Sequence, residues 1–281
     1  MNGSIPPDLK RRTKRLMGRM HQRVWPSADR PGMRGLAYHS IVRHAGQDPQ
    51  QMTTPLDLFE EQMVFLASHG YHVERAVVVV ERLRRGEPLP PRTIVLTFDD
   101  GFTDAYHLIL PVLDRYQFPA TCFVMPVALD GEHRTLSDGW EGAYLTWEQA
   151  RALKASGLVD IGCHGATHRN LRGLPPEVLA EEIDEAKRWL ERGLDCAVSL
   201  FAYPFGSYGA WDEHVRSAVD RAGFVGAFTS IAGLNTSASD PLLLRRCRVS
   251  WCDEIPEFAR LLDGAYDWYA TVQRWQAGVL T

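Results

Sequence analysis

No apolar stretch of about 18 residues or more occurs in the sequence, so no segment reads as a membrane-spanning helix. There is no C-x-x-C pair. The five cysteines (Cys122, Cys163, Cys196, Cys247 and Cys252) are odd in number and scattered, which signals neither a structural zinc site nor a redox dithiol. A basic excess is also missing. Thirty-one Lys and Arg stand against 35 Asp and Glu, a net charge of −4, and this argues against a nucleic-acid partner. Internal repeats and low-complexity linkers are absent. What is present is an ordinary globular composition, 45% hydrophobic and 23% charged. The 281 residues suffice to bury the core of one barrel-sized domain.

The first 34 residues differ from the rest. Lys10-Arg11-Arg12-Thr13-Lys14-Arg15 is a basic run, and Leu9, Leu16, Met17, Met20 and Val24 recur at roughly helical spacing. Such a segment either lies on an anionic membrane surface or docks as a solvated arm. No apolar core follows the basic run, so it does not read as a secretory signal. Reduced thiols and a cytoplasmic location, with peripheral membrane contact through this segment, are the expectation. The economical division is a basic extension over 1–34 and one domain over 35–281.

From Gly35 onward short apolar runs alternate with amphipathic patterns. Strands are predicted at 35–41, 94–98, 120–125, 159–163, 199–203, 225–229 and 247–251. Helices are predicted from Thr54-Pro55 to Gly70, over 104–116 with a kink at Pro111, from the capping box Thr146-Trp147-Glu148-Gln149 to Gly157, and over 176–191, 211–222 and 256–276. On the fourth, Leu179, Ile183, Ala186 and Leu190 share one face. Alternating strands and helices imply parallel strands with crossover helices. Seven of them suit an α/β barrel of the TIM type. The polar stretch 129–144 follows a strand, where active-site loops of such barrels occur.

Three segments at predicted strand ends carry candidate chemistry. Thr97-Phe98-Asp99-Asp100-Gly101 ends one strand with adjacent carboxylates. Neighbouring strand residues project to opposite sides unless the chain turns, and Gly101 allows the turn. One carboxylate can then bind a cation while the other accepts a proton; a plain Asp-Gly turn is the simpler alternative. His164-Gly165-Ala166-Thr167-His168 places two imidazoles at i and i+4, a spacing that can chelate one metal ion. Tyr203-Pro204-Phe205-Gly206 makes a rigid turn able to present backbone N–H groups.

In this order and at these separations the three segments closely resemble the first three motifs of the polysaccharide deacetylases of carbohydrate esterase family four, the NodB-homology domains. The resemblance runs from about Leu36 to about Trp251 and includes Ala37-Tyr38-His39-Ser40, Phe118-Pro119-Ala120-Thr121, Leu145-Thr146-Trp147 and Leu244-Arg245-Arg246-Cys247-Arg248-Val249. It is nearest to the branch acting on poly-N-acetylglucosamine or related surface polysaccharides. The resemblance implies a distorted (β/α)7 barrel and metal-dependent hydrolysis of an N-acetyl group on an acetamido-sugar glycan. It implies Asp100, His164 and His168 as ligands of a divalent metal, zinc first, with cobalt and nickel as alternatives. It makes Asp99 the general base and the Phe205 N–H an oxyanion donor.

Two departures stand out. Many relatives carry an arginine early in the third motif, where this chain has Ala202. Arg246 is the candidate replacement, with Arg245 and Arg248 competing; strand alternation puts Arg246 and Arg248 on one face and Arg245 on the other. No histidine follows His214, so the family's late acid has no match, and His39, at the end of the first strand, is the substitute candidate. Trp140, Trp147 and Trp251 are candidate sugar-stacking residues, although Trp147 can instead pack its helix. Trp268 and Trp275 read as core or interface. Rival readings are hydrolysis of another C–N amide (a ureide, formamide or aminoacyl group) on the same barrel, and a glycan-binding module without catalysis. The oligomeric state is left open.

Overall fold

A computed structural model describes residues 29–44, 52–131, 143–249 and 254–278. The basic run within 1–28, Trp140 with most of the 129–144 loop, and Trp251 lie outside the described residues.

The described strands are β1 (Met33–Tyr38), β2 (Ser40–Val42), β3 (Thr53–Pro55), β4 (His72–Val73), β5 (Thr93–Phe98), β6 (Ala120–Val124), β7 (Val159–Cys163), β8 (Leu200–Ala202), β9 (Gly226–Phe228) and β10 (Arg246–Arg248). Seven of them form a parallel series in the order β10-β1-β5-β6-β7-β8-β9, with β4 pairing β5 off this path. The two ends of the series nearly meet. Phe228 forms a parallel bridge with Leu244, and Leu244 exchanges hydrogen bonds with the backbone of Ala227 and Thr229 just before β10 begins. The architecture is therefore a near-closed (β/α)7 barrel, a single α/β domain.

Alternation along the strands sorts the core into two shells. Leu36, Tyr38, Leu96 and Phe98 face outward into a large cluster with Phe59, Met63 and Leu66 of the helix Leu56–Ser68. Val95, Phe123, Leu200, Ala202 and Phe228 belong to a second, interior cluster. That cluster also takes Val79, Val80 and Leu83 from a helix over Ala76–Arg84 that the sequence reading did not predict. Its run of four valines reads as strand by propensity; packing into the barrel overrides this. Because Val80 meets the start of β9 at Gly226 and Arg84 bonds Val225 O, the helix stoppers the amino-terminal end of the strands. The carboxyl end is left for the site, as parallel barrels require.

Several boundaries shift for physical reasons. The predicted first strand breaks at His39 into β1 and β2. Thr54 lies in β3 rather than capping, and the following helix starts after Pro55 with no side-chain cap. Pro111 sits in the first turn of the helix Leu110–Tyr116, and the preceding turn, Ala105–Ile109, is π-helical. The predicted helix over 256–276 is two helices, Ile255–Leu262 and Tyr269–Gln276. Thr146 and Gln149 form the capping box reciprocally, and Trp147 packs its helix: a Cβ on Gly193 would lie 2.1 Å from the indole. Trp275 is exposed. Arg34, counted with the extension by sequence, is buried in β1 and ion-paired with Asp267 at 2.6 Å.

Candidate metal centre

The carboxyl ends of β1, β5, β7, β8 and β10 converge on a cavity of about 360 Å³ lined by His39, Asp99, Asp100, His164, His168, Phe205 and Arg248. The predicted ligands Asp100, His164 and His168 line it together with Asp99, His39 and Phe205; Arg246 lies immediately behind, bonded to Asp99, and neither Arg245 nor Trp147 lines it.

Asp99 continues the interior face of β5 that carries Thr97. Arg246, fully buried, donates to both Asp99 oxygens at 2.6 and 2.9 Å, to Thr97 Oγ1 at 2.9 Å and to Thr229 O at 3.0 Å. Its guanidinium lies over the rings of Phe123 and Phe228, at 5.5 and 5.9 Å from their centroids. The geometry separates the three arginines: Arg245 bonds Ala232 O near Gly233, Arg248 lines the cavity, and Arg246 alone of the three pairs with Asp99. Gly35 makes the room. A Cβ there would sit 2.8 Å from Arg246 Cγ and 2.9 Å from Arg245 O. Burial by itself would raise the Asp99 pKa, but Arg246, His164 and His39 outweigh it and hold the carboxyl below its ordinary value.

Asp100 turns the other way. Its φ is 69°, in the left-handed region, and Gly101 follows with φ 71°. The turn brings Asp100 Oδ1 within 3.3 Å of His164 Nε2 and 3.4 Å of His168 Nε2. Neither contact has hydrogen-bond geometry, and both buried Asp100 oxygens are without a hydrogen-bond partner among the described residues. One ligand atom from each of the three residues lies within 4.8 Å of the others. Burial disfavours the Asp100 charge, yet His164, His39 and His168 pull its pKa well below the carboxylate range. For His164, burial disfavours the charged ring, and Asp100 and Asp99 together reverse that and raise the pKa.

His164 is oriented from behind. Its Nδ1 lies 2.8 Å from Ala202 O. A carbonyl only accepts, so Nδ1 carries a proton, which leaves Nε2, the nitrogen facing Asp100, as the one able to bind a metal. Ala202 thus contributes its backbone. His168 sits at φ 60° and Phe205 at φ 61°. Among the described residues, three of the six non-glycine residues with positive φ therefore belong to this site, in keeping with strain being stored where geometry is functional. The Phe205 ring is half-exposed, 4.7 Å from the His168 ring. Its turn is braced by Ser230 N, which donates to Gly206 O at 2.9 Å, and Gln273 holds Ser230 O at 2.9 Å. His39 Nδ1 has no hydrogen-bond partner among the described residues, and burial lowers its pKa to about 4.

The donor set fits a divalent cation. Two neutral imidazole nitrogens and a carboxylate whose buried oxygens lack directed donors are three ligands of the kind zinc takes, with coordination positions left over. Ala202 O, Gln273 and the buried Glu182, which bonds the 166–167 backbone, were missed by the sequence reading. A carbonyl leaves no sequence signal. Glu182 did leave one, being three residues after Leu179 on the apolar face.

The profile of the family described as polysaccharide deacetylase matches residues 86–227, just over half of the chain, and the chain belongs to that family. YxkH of Bacillus subtilis (strain 168), named for the same family, is 26% identical over 228 residues, covering 81% of this chain and 75% of that protein. The poly-beta-1,6-N-acetyl-D-glucosamine N-deacetylase of Escherichia coli (strain K12) is 28% identical over 148 residues, 51% of this chain and 21% of the relative; the match spans about a fifth of that longer protein. The Streptococcus pyogenes deacetylase PplD, solved in complex with acetate, aligns with a TM-score of 0.68 at 23% identity, over 82% of this chain and 98% of that one. IcaB from Ammonifex degensii aligns with a TM-score of 0.68 at 23% identity, over 84% and 97%. At these identities the two structures speak for the fold.

Proposed function

We propose that this deacetylase hydrolyses the N-acetyl group of an acetamido sugar in a polysaccharide or lipid-linked glycan, and that it does so with a divalent cation, zinc first, held by Asp100, His164 and His168. The observation that carries this reading is the convergence of three ligand atoms within 4.8 Å beside a second, separately paired aspartate. The cation supplies Lewis acidity, which polarises an amide carbonyl and acidifies water.

The chain's own groups divide the remaining work. Asp99 takes the proton of the attacking water. Arg246 fixes both of its oxygens in place and keeps it ionised, so Asp99 is a weak base and requires acidified water as its partner. The Phe205 N–H is assigned to the oxygen that gains charge as the carbonyl becomes tetrahedral. His39 is assigned to deliver a proton to the departing amine. A ring held neutral at pH 7 can accept that proton during the reaction and pass it on.

The test is acetate release from N-acetylglucosamine oligomers with added zinc. Asp99→Asn is expected to lower kcat by about 10²–10⁴-fold while zinc content is retained. His164→Ala is expected to lose both zinc and activity. Equal rates for Asp99→Asn and wild type would remove Asp99 as the base. Tight glycan binding without turnover at any metal would favour a binding module instead.

A further inference from the structure

We propose that Glu182 is a positioning residue for the metal centre: its carboxylate is the fixed core around which the loop between His164 and His168 folds, and it thereby sets metal affinity. The inference rests on the metal reading above.

Glu182 is 3% exposed. Its Oε2 accepts from the N–H of Ala166 at 3.0 Å and of Thr167 at 3.1 Å, and its Oε1 accepts from Thr167 Oγ1. Two successive N–H groups aimed at one anion form a nest, and here the anion is the protein's own side chain. The loop needs such a guest. Gly165 at φ 77° and His168 at φ 60° hold it in left-handed backbone, and the two N–H groups of Ala166 and Thr167 between them donate to Glu182. At Gly165 a Cβ would lie 3.2 Å from Glu182 Oε2, so loop and carboxylate are in direct contact.

The placement in the helix is deliberate in the same sense. Leu179, Ile183, Ala186 and Leu190 make the buried face, and Glu182 lies on it, within the π-helical turn Glu181–Glu185. π-Turns inside helices are frequent at functional sites. A buried carboxylate is costly, and an apolar residue at this position would serve the fold as well or better. Arg169, largely exposed, approaches only to 3.8 Å and does not repay that cost. What the carboxylate provides is the geometry of both imidazoles. Partners that orient metal ligands commonly change metal affinity by about 10–100-fold when removed.

The experiment measures the zinc dissociation constant of the full chain by competition with a chromophoric chelator, with thermal melts of the metal-free proteins alongside. Glu182→Gln keeps the volume but removes the charge and leaves one acceptor oxygen where the carboxylate had two, so the nest loses its anion and one of its two acceptors. It is expected to weaken zinc binding by about 10–100-fold. Thr167→Val deletes one donor and leaves both backbone N–H groups, so it keeps the question open to test should Glu182→Gln not fold; a several-fold weakening is expected. His164→Ala serves as the reference for lost binding. Zinc affinity equal to wild type in a folded Glu182→Gln, or in Thr167→Val if the first does not fold, would overturn the inference while leaving the metal reading intact. A wild-type protein that binds zinc no better than His164→Ala would overturn both.

Discussion

Asp99 and Asp100 are neighbours in the chain and both are buried, yet Asp99 gives both oxygens to Arg246 while Asp100 receives no directed hydrogen bond among the described residues. The contrast extends to the two flanks of the cavity. On the β5–β10 flank, charge is neutralised inside the protein: a bidentate ion pair, a threonine, a carbonyl and two aromatic faces enclose one another. On the β5–β7 flank, lone pairs are oriented and left facing a common point, with Ala202 O and Glu182 doing the orienting from behind. One flank is complete as folded. On the proposed metal reading, the other is completed by a cation. The completed flank should therefore fail as a matter of folding, and the open one as a matter of metal affinity.

The largest expected effect breaks the completed flank. Arg246→Met preserves much of the side chain's bulk between Phe123 and Phe228 but leaves the buried Asp99 carboxylate without its counter-charge. Breaking a buried pair from one side costs about 3–5 kcal/mol. Chemical denaturation should show a loss of that size, with zinc binding at the other flank changed far less. A stability loss below about 1 kcal/mol, where exposed pairs fall, would mean that Asp99 is solvated and that the two flanks are not as different as their geometry makes them.

How much of this contrast was legible in the sequence follows from how each group is held. Asp99, Asp100, His164 and His168 stand in short segments at strand ends, where a barrel concentrates its chemistry, and the seven-strand alternation was readable from apolar periodicity. The sequence pointed to Arg246 with Arg245 and Arg248 competing, and strand alternation put Arg246 and Arg248 on one face. Only the position of Asp99 across the barrel distinguishes them, and such a contact spans 147 residues of chain. The left-handed turns at Asp100, His168 and Phe205 were not legible because non-glycine residues there are imposed by tertiary context. Glu182 was passed over because an acidic helix reads as solvated, although its place among Leu179 and Ile183 conflicts with that reading. The helix over Ala76–Arg84 was hidden by its valines.

A smaller perturbation sharpens the comparison without touching either charge. Gly35→Ala, on β1 in register with Arg246, inserts a methyl 2.8 Å from Arg246 Cγ and 2.9 Å from Arg245 O. The first contact is with a side chain that is itself pinned by four hydrogen bonds, and the second is with backbone. Neither neighbour gives easily. Overpacking of this kind costs about 1–3 kcal/mol. Because the strain falls on the Arg246 flank, kcat should drop with zinc affinity unchanged. Wild-type stability would show that β1 and β10 can separate at no cost, and the tight closure of the barrel at this point would be wrong.

Asp104 supplies the smallest effect and the most specific one, because it represents a third way to hold a carboxylate near the cavity. It accepts from Ile41 N–H at 2.6 Å and Ser40 Oγ at 3.4 Å, just beyond His39, and among the described residues no cation pairs with it. Burial pushes its pKa up to about 6, and the two neutral donors only partly counter this. With the folded pKa above the unfolded one, the protonated form favours the fold. The contribution is full below about pH 4 and is lost as pH rises through about 6. Asp104→Asn has no such group, so the stability of wild type relative to the variant should fall between pH 4 and 6 and stay level above. Since the side chain is partly solvated, the change should be about 1 kcal/mol or less. Melts of both proteins at pH 4, 5, 6 and 7 read it directly. Parallel curves would mean that Asp104 is ionised throughout, and that a carboxylate held here by neutral donors needs no counter-charge, unlike Asp99.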